Sequence, residues 1–258
     1  MKINEEMMFC PICEKEHLVS IHEDNDVVEI EGENIKYIAT FCRCDNTEKD
    51  NEFLTGGMTD KNLKAIKKAR EEKRKIKENK KLVERYPFLL PRNRWTGKVS
   101  EDYDYHYTEL DAMPDGWRKA FGVQMCEDIR EELIKADYLD KYRITDIKEK
   151  YGSLRWYDFG GTEKMMREII PKYTRLSKYT CIHCGKPATK ISLGWISPWC
   201  DDCAAAINGE DYQNINSFYL SCDDCKHNEK DETEEPCINC KNCSNFEPTN
   251  KKEMMEEK

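Results

Sequence analysis

Two Cys-x-x-Cys pairs fifteen residues apart, Cys181-Ile-His-Cys184 and Cys200-Asp-Asp-Cys203, constrain this chain more than any other feature of it. Each pair lets two sulfurs face one ion from a tight turn, and two such turns complete a tetrahedron with Zn–S distances of about 2.3 Å. Four thiolates leave no coordination position open, so the expected site builds structure and does not activate water. Composition explains why such a staple is needed: 38% of the 258 residues are hydrophobic and 36% are charged, leaving less core-forming material than a globular domain ordinarily has. Structural zinc supplies about 10–16 kcal/mol, the scale of a small domain's whole stability.

Cysteine clusters recur towards both ends. Near the N-terminus stand Cys10, Cys13, Cys42 and Cys44, where the second pair is one residue tighter than a usual knuckle and His17 is an alternative ligand. Near the C-terminus, Cys222, Cys225, Cys237 and Cys240 can form a third tetrahedral site with Cys243 to spare. The run Cys237-x2-Cys240-x2-Cys243 also opens like an iron–sulfur ligand set, but no Cys-Pro follows it and its surroundings are acidic. Two to three Zn²⁺ ions are therefore expected. The N-terminus is acidic and lacks an apolar signal core, and no run reaches the roughly 18 apolar residues that span a bilayer, so a cytoplasmic protein without membrane contact is expected. In that reducing compartment the fourteen cysteines read as metal ligands and not disulfides.

The expected fold class is α+β, in four parts. Residues 1–58 form a small zinc-bound β module, with strand-like stretches Leu18 to Glu23, Val27 to Glu31 and Ile35 to Phe41 separated by turn signals at Asp24-Asn25-Asp26 and Gly32. Residues 59–85 form a basic connecting helix with a thin apolar stripe of Leu63, Ile66, Ala69, Ile76 and Val83. Residues 86–208 form a central α+β domain. In it Trp117, Phe121, Met125, Ile129 and Leu133 recur every four residues along a helix from about Asp115. Tyr142 to Tyr151 and Ser153 to Phe159 make a hairpin, and a helix capped by Thr162 is interrupted at Pro171 before the cysteine knuckle of treble-clef or zinc-ribbon type. Residues 209–258 are too polar for a core of their own and form either a metal-folded module or a flexible tail.

Cys10-Pro-Ile-Cys13, the strands after it, the second cysteine cluster and Gly57-Met-Thr-Asp-Lys-Asn-Leu63 resemble the YgiT-type zinc finger, the zinc-binding half of MqsA-type antitoxins and of many phage-borne proteins, over about the first 70 residues. That resemblance implies a zinc-bound β module. Such antitoxins carry a helix-turn-helix after the finger, and none is evident here. Lys148 to Trp156 and the Cys237 to Pro248 tail resemble zinc-ribbon proteins of phages and prophages that have no assigned activity.

A formal charge of −9 argues against a general affinity for phosphate backbones. The charge is uneven, because Lys61 to Arg85 holds twelve Lys or Arg against four Glu. Lys64, Lys67, Lys68, Arg70, Lys73 and Arg74 are the candidate nucleic-acid contacts on that helix, and a solvated, internally paired face is the plainer alternative. Asp102, Asp104 and His106 would share one face of an extended segment, as a hydrolytic metal centre requires, although an acidic and aromatic surface strand is the simpler description. Cys126 reads as a packed core thiol and His183 as a bystander within its knuckle. No catalytic residue is assigned. The expected function is non-enzymatic binding of a macromolecular partner by a zinc-stabilised protein of phage or prophage type. The partner is a host or phage protein, and the expected effect is modulation of a host nucleic-acid-handling or defence protein. A DNA-binding regulator and a metal-dependent nuclease are the alternatives.

Overall fold

The computed structural model describes residues 1–49, 51–93, 95–207, 211–215, 227, 233–235 and 237–239. Of the C-terminal cysteines, Cys222, Cys225, Cys240 and Cys243 lie outside the described residues, so the third cluster does too. The fold is mixed α+β with small antiparallel sheets, and it divides into two compact units, Met1–Asn79 and Lys80–Lys258.

The first unit is a four-stranded antiparallel sheet in the order β1-β2-β3-β4. Its strands are β1 (Lys2–Cys10), β2 (Lys15–Ile30), β3 (Glu33–Arg43) and β4 (Glu52–Phe53). β2 runs straight through Asp24-Asn25-Asp26, where the sequence suggests a turn. Two of these residues satisfy local amides with their own side chains: Asp24 accepts from the Asn25 N–H and Asp26 from the Val27 N–H. Across the ladder the Tyr37 hydroxyl donates to Asp26 at 2.8 Å. The reversal falls at the second expected turn signal, Glu31-Gly32, where both residues have positive φ.

Helix α1 (Gly56–Arg85) starts where the Thr55 hydroxyl accepts the Met58 N–H. Its buried anchor on the first sheet is polar. The Asn62 side chain accepts from the Thr40 N–H at 2.8 Å and donates to the Thr40 carbonyl at 3.0 Å, closing part of the open edge of β3. Ile66, Ala69 and Ile76 of the expected stripe are half-buried and Val83 is buried, but Leu63 is exposed. One buried apolar cluster of this unit holds Val19 and Ile21 with Cys10, Cys42 and Cys44, and Ile35 and Ala39 are buried on β3 outside it.

The second unit has a full core. α2 (Asp115–Trp117) passes through a π-helical turn, Arg118–Gly122, into α3 (Val123–Lys135). All five residues of the four-residue repeat, Trp117 through Leu133, are buried. They pack with Ile144, Ile147, Leu154 and Trp156 from the hairpin β5 (Arg143–Lys150) and β6 (Ser153–Phe159). The helical segment after Thr162 is not interrupted at Pro171. A π turn over Met165–Ile169 leads directly into α4 (Ile170–Lys178), so Pro171 sits just past the π turn within a continuous helical segment. The Ser177 hydroxyl of α4 accepts the Leu154 N–H at 2.8 Å, fixing the helix to β6.

A three-stranded sheet in the order β8-β7-β9, with β7 (Lys190–Ser192), β8 (Pro198–Trp199) and β9 (Tyr212–Asn214), lies between Cys181 and Cys184 on one side of the sequence and, through β8, Cys200 on the other. α5 (Asp201–Ala206) follows β8 directly. Among the described residues no helix is long and apolar enough to cross a membrane.

Candidate metal centres

Two donor clusters meet the geometric demands of a metal ion among the described residues, Cys10, Cys13, His17 and Cys44 in the first unit and Cys181, Cys184, Cys200 and Cys203 in the second. Within each, all four ligand atoms lie within 4.8 Å of one another. A zinc tetrahedron has S···S edges of about 3.8 Å and S···N edges of about 3.6 Å at ordinary bond lengths. The Cys184 and Cys200 sulfurs are 3.5 Å apart, as are those of Cys13 and Cys44, and His17 Nε2 lies 3.2 Å from Cys13 Sγ and 3.6 Å from Cys44 Sγ. Soft thiolates with at most one imidazole suit zinc among the common divalent ions.

Each first pair forms a knuckle whose amides point at sulfur. Burial pushes the Cys10 thiol up, but the amides of Cys13 and Ile12 and the His17 ring outweigh it and bring the thiol down to about 6. Burial likewise opposes ionisation of Cys184, yet the Lys186 amide and the neighbouring cysteines lower it to about 7. Both knuckles then need a left-handed residue to leave the turn. It is Gly185 at φ +83° in the second and Glu14 at φ +52° in the first. Gly185 takes this conformation freely, whereas Glu14 adopts it at some steric cost.

In the second cluster Cys200 occupies the position before α5 and Cys203 lies in its first turn, so the helix delivers both sulfurs to one side. The His183 ring lies 3.6 Å from Cys203 Sγ through Nδ1 and is not among the four donors.

The first cluster corrects the sequence expectation at one ligand. Cys42 is not brought to the site. It lies within β3, paired across to Ile21 and Phe53, with its sulfur against Met8 Sδ at 3.6 Å and Met58 Sδ at 3.5 Å. The strand ends at Arg43 and the chain turns at Cys44, whose carbonyl accepts the Thr47 N–H, so Cys44 alone reaches the knuckle. His17, on β2, supplies the fourth donor. Its Nδ1–H donates to the Leu18 carbonyl at 2.8 Å, so that a metal ion displacing the Nε2 proton would find that nitrogen's lone pair facing the sulfurs. A zinc ion held by this cluster would accordingly survive Cys42→Ala, at a stability cost of about 1–2 kcal/mol for a lost buried side chain, and be lost in His17→Ala. Metal content of the two purified variants measures the contrast, and His17→Cys should restore binding.

The remaining candidates do not assemble into sites. Asp102, Asp104 and His106 are exposed in a turn and not an extended strand, with Tyr105 at φ +67° between them and the Asp104 side chain accepting the His106 N–H. Cys126 is fully buried and its thiol is pushed strongly upward by that burial, as befits a core side chain. On α1, Arg70 pairs with Glu31 and Lys73 with Glu33, both glutamates at the β2–β3 turn, while Lys68 and Arg74 pair along the helix with Glu72 and Glu78. Lys64 and Lys67 form no ion pair among the described residues. The groove of about 450 Å³ beside these residues is lined by Glu31, Glu33 and Glu71 as well as by cations, so its charge is mixed. No family model, characterised protein or solved structure matches this chain.

Proposed function

We propose that this is a non-enzymatic binding protein in which one structural zinc ion organises each unit and the folded surface recognises a macromolecular partner. The observation that carries it is closure: each cluster presents four protein donors, with three or four thiolates among them, and neither leaves a position for water or substrate. The knuckle at Cys181, the β7–β8 hairpin and α5 together make a treble-clef-like arrangement in the second unit. The first unit is a YgiT-like finger with His17 in place of a fourth cysteine. Cys222, Cys225, Cys237 and Cys240 would take a third zinc. A net charge of −9 suits a protein partner with a basic surface, such as a host or phage protein that itself handles nucleic acid. The pairing of Arg70 and Lys73 with hairpin glutamates weakens the case for α1 as an operator-binding element.

Purified protein is expected to carry at least two zinc ions per chain, and its cobalt-substituted form to show tetrahedral thiolate spectra that do not change when a small anionic ligand such as cyanide or azide is added at sub-chelating concentration. A spectral shift would reveal an open coordination position and overturn the structural assignment in favour of a catalytic one.

A further inference from the structure

We propose that the outward face of the β5–β6 hairpin is a binding platform for single-stranded nucleic acid. One face of this two-stranded sheet is closed by the core through Ile144, Ile147, Leu154 and Trp156. The alternate residues of β6 are Arg155, Tyr157 and Phe159, and their cross-strand neighbours are Lys148, Asp146 and Arg143. Tyr157 and Phe159 are 45% and 56% exposed, too much for rings that serve the core, and Tyr151 at the hairpin turn is 67% exposed.

Each of these rings carries a cation. The Arg143 guanidinium lies 4.5 Å from the Phe159 ring centre, Lys148 Nζ 4.9 Å from that of Tyr157 and Lys150 Nζ 5.3 Å from that of Tyr151. Arg143, Lys150 and Arg155 form no ion pair among the described residues; Asp146, paired with Lys148, is the one acid among the strand residues of this face, and Glu109 lines a groove with Arg143 and Asp146. The strand residues of this face carry a local excess of positive charge on a chain whose total is −9, and here, unlike on α1, the cations stand beside exposed aromatic rings.

Chemistry selects the occupant. Tyr157 and Phe159 are two residues apart on a strand, so their rings stand about 7 Å apart, a spacing that two splayed bases can follow. Flat π faces take any base by stacking, and the unpaired cations beside them take the phosphates between bases. A duplex keeps its bases inside and cannot use the rings. A protein partner would use these rings as apolar anchors, but it gives no reason for the unpaired Arg143 beside Phe159 and Lys150 beside Tyr151.

The test uses zinc-loaded full-length protein, with metal content measured on every sample, and fluorescence anisotropy of labelled fifteen-residue oligo-dT and oligo-U against a duplex of the same length. Binding to single strands and not to the duplex is expected. Tyr157→Ala and Phe159→Ala should each weaken it by about tenfold, with Tyr157→Phe close to unchanged because the ring remains. Lys150→Gln with Arg155→Gln should flatten the dependence of log K on log salt by about 1.4. Fully zinc-loaded protein that binds no oligonucleotide at low salt, or binds equally well without both rings, overturns the proposal while leaving the zinc assignment standing. So does a platform that instead self-associates in sedimentation and loses that association with Phe159→Ala. Protein that carries no zinc speaks against the structural zinc assignment instead.

Discussion

Cys10→Ser is expected to unfold the whole first sheet, whereas Cys184→Ser should melt only the knuckle and its small sheet and leave the core of the second unit folded. The difference comes from how much each unit can bury without its metal. Among the described residues of the first unit the large buried aliphatic side chains are Val19, Ile21 and Ile35, worth about 1.5–3 kcal/mol each, with Ala39 adding little. Ordering the sheet costs about 1–2 kcal/mol of backbone entropy per residue, so burial on this scale cannot hold it without the zinc. The second unit packs Trp117, Phe121, Met125, Ile129, Leu133, Leu154 and Trp156 into one continuous core that does not contain the cysteine ligands. Hydrogen exchange resolves the two outcomes. In Cys10→Ser the amides of β2 and β3 should lose protection entirely. In Cys184→Ser those amides and the ones in α3 should stay protected while the Cys181 to Trp199 region exchanges freely. Retained protection across β2 and β3 in zinc-free Cys10→Ser would show that the sheet stands without metal.

How much of this was legible beforehand depends on whether the signal is local. Cys181, Cys184, Cys200 and Cys203 are readable as a site because a two-residue gap already fixes how two sulfurs converge. The face from Trp117 to Leu133 and the Tyr151-Gly152 reversal are readable for the same reason, since periodicity and turn chemistry act within a few residues. β1 was not. Its Glu5-Glu6 and Met7-Met8 doublets hide any alternation, and it is a strand because β2 pairs with it, from Lys2 opposite His22 to Cys10 opposite Lys15. The choice of His17 over Cys42 depends on where β3 ends, which is set by the turn after Arg43 and not by the cysteine spacing. The platform on β5–β6 needed the burial of Leu154 and Trp156 to show which side of the hairpin is left outside.

Gly116→Ala is expected to cost about 3 kcal/mol and to weaken the zinc of the second unit at least tenfold, although Gly116 is no ligand. A β-carbon at this position would stand 2.1 Å from the Cys181 carbonyl oxygen and 2.7 Å from both the carbon and the oxygen of the Ile182 carbonyl. These are backbone atoms of the metal knuckle, so no side-chain rotation can relieve the clash. The two segments are also bonded there, with the Gly116 N–H donating to the Ile182 carbonyl at 2.9 Å. From the other side Gly185 closes the same contact, since a β-carbon on it would meet the Gly116 carbonyl at 2.6 Å. The start of α2 and the knuckle therefore meet backbone to backbone, and the added methyl must displace one of them. Moving α2 pulls on Trp117, which is fully buried and whose indole N–H donates to the Thr180 carbonyl at 2.9 Å. Moving the knuckle carries Cys181 away from its three partner sulfurs. Either way core packing and metal affinity fall together, which a purely local strain would not produce. Gly194→Ala is the matched control, because a β-carbon there meets nothing within 4 Å. Competition with a chromogenic chelator, read alongside urea melts, should show the second-site zinc of Gly116→Ala leaving first while the first-site zinc is retained as in the parent. A variant that keeps both zinc ions at parental affinity would mean that the knuckle and α2 are not coupled through this contact.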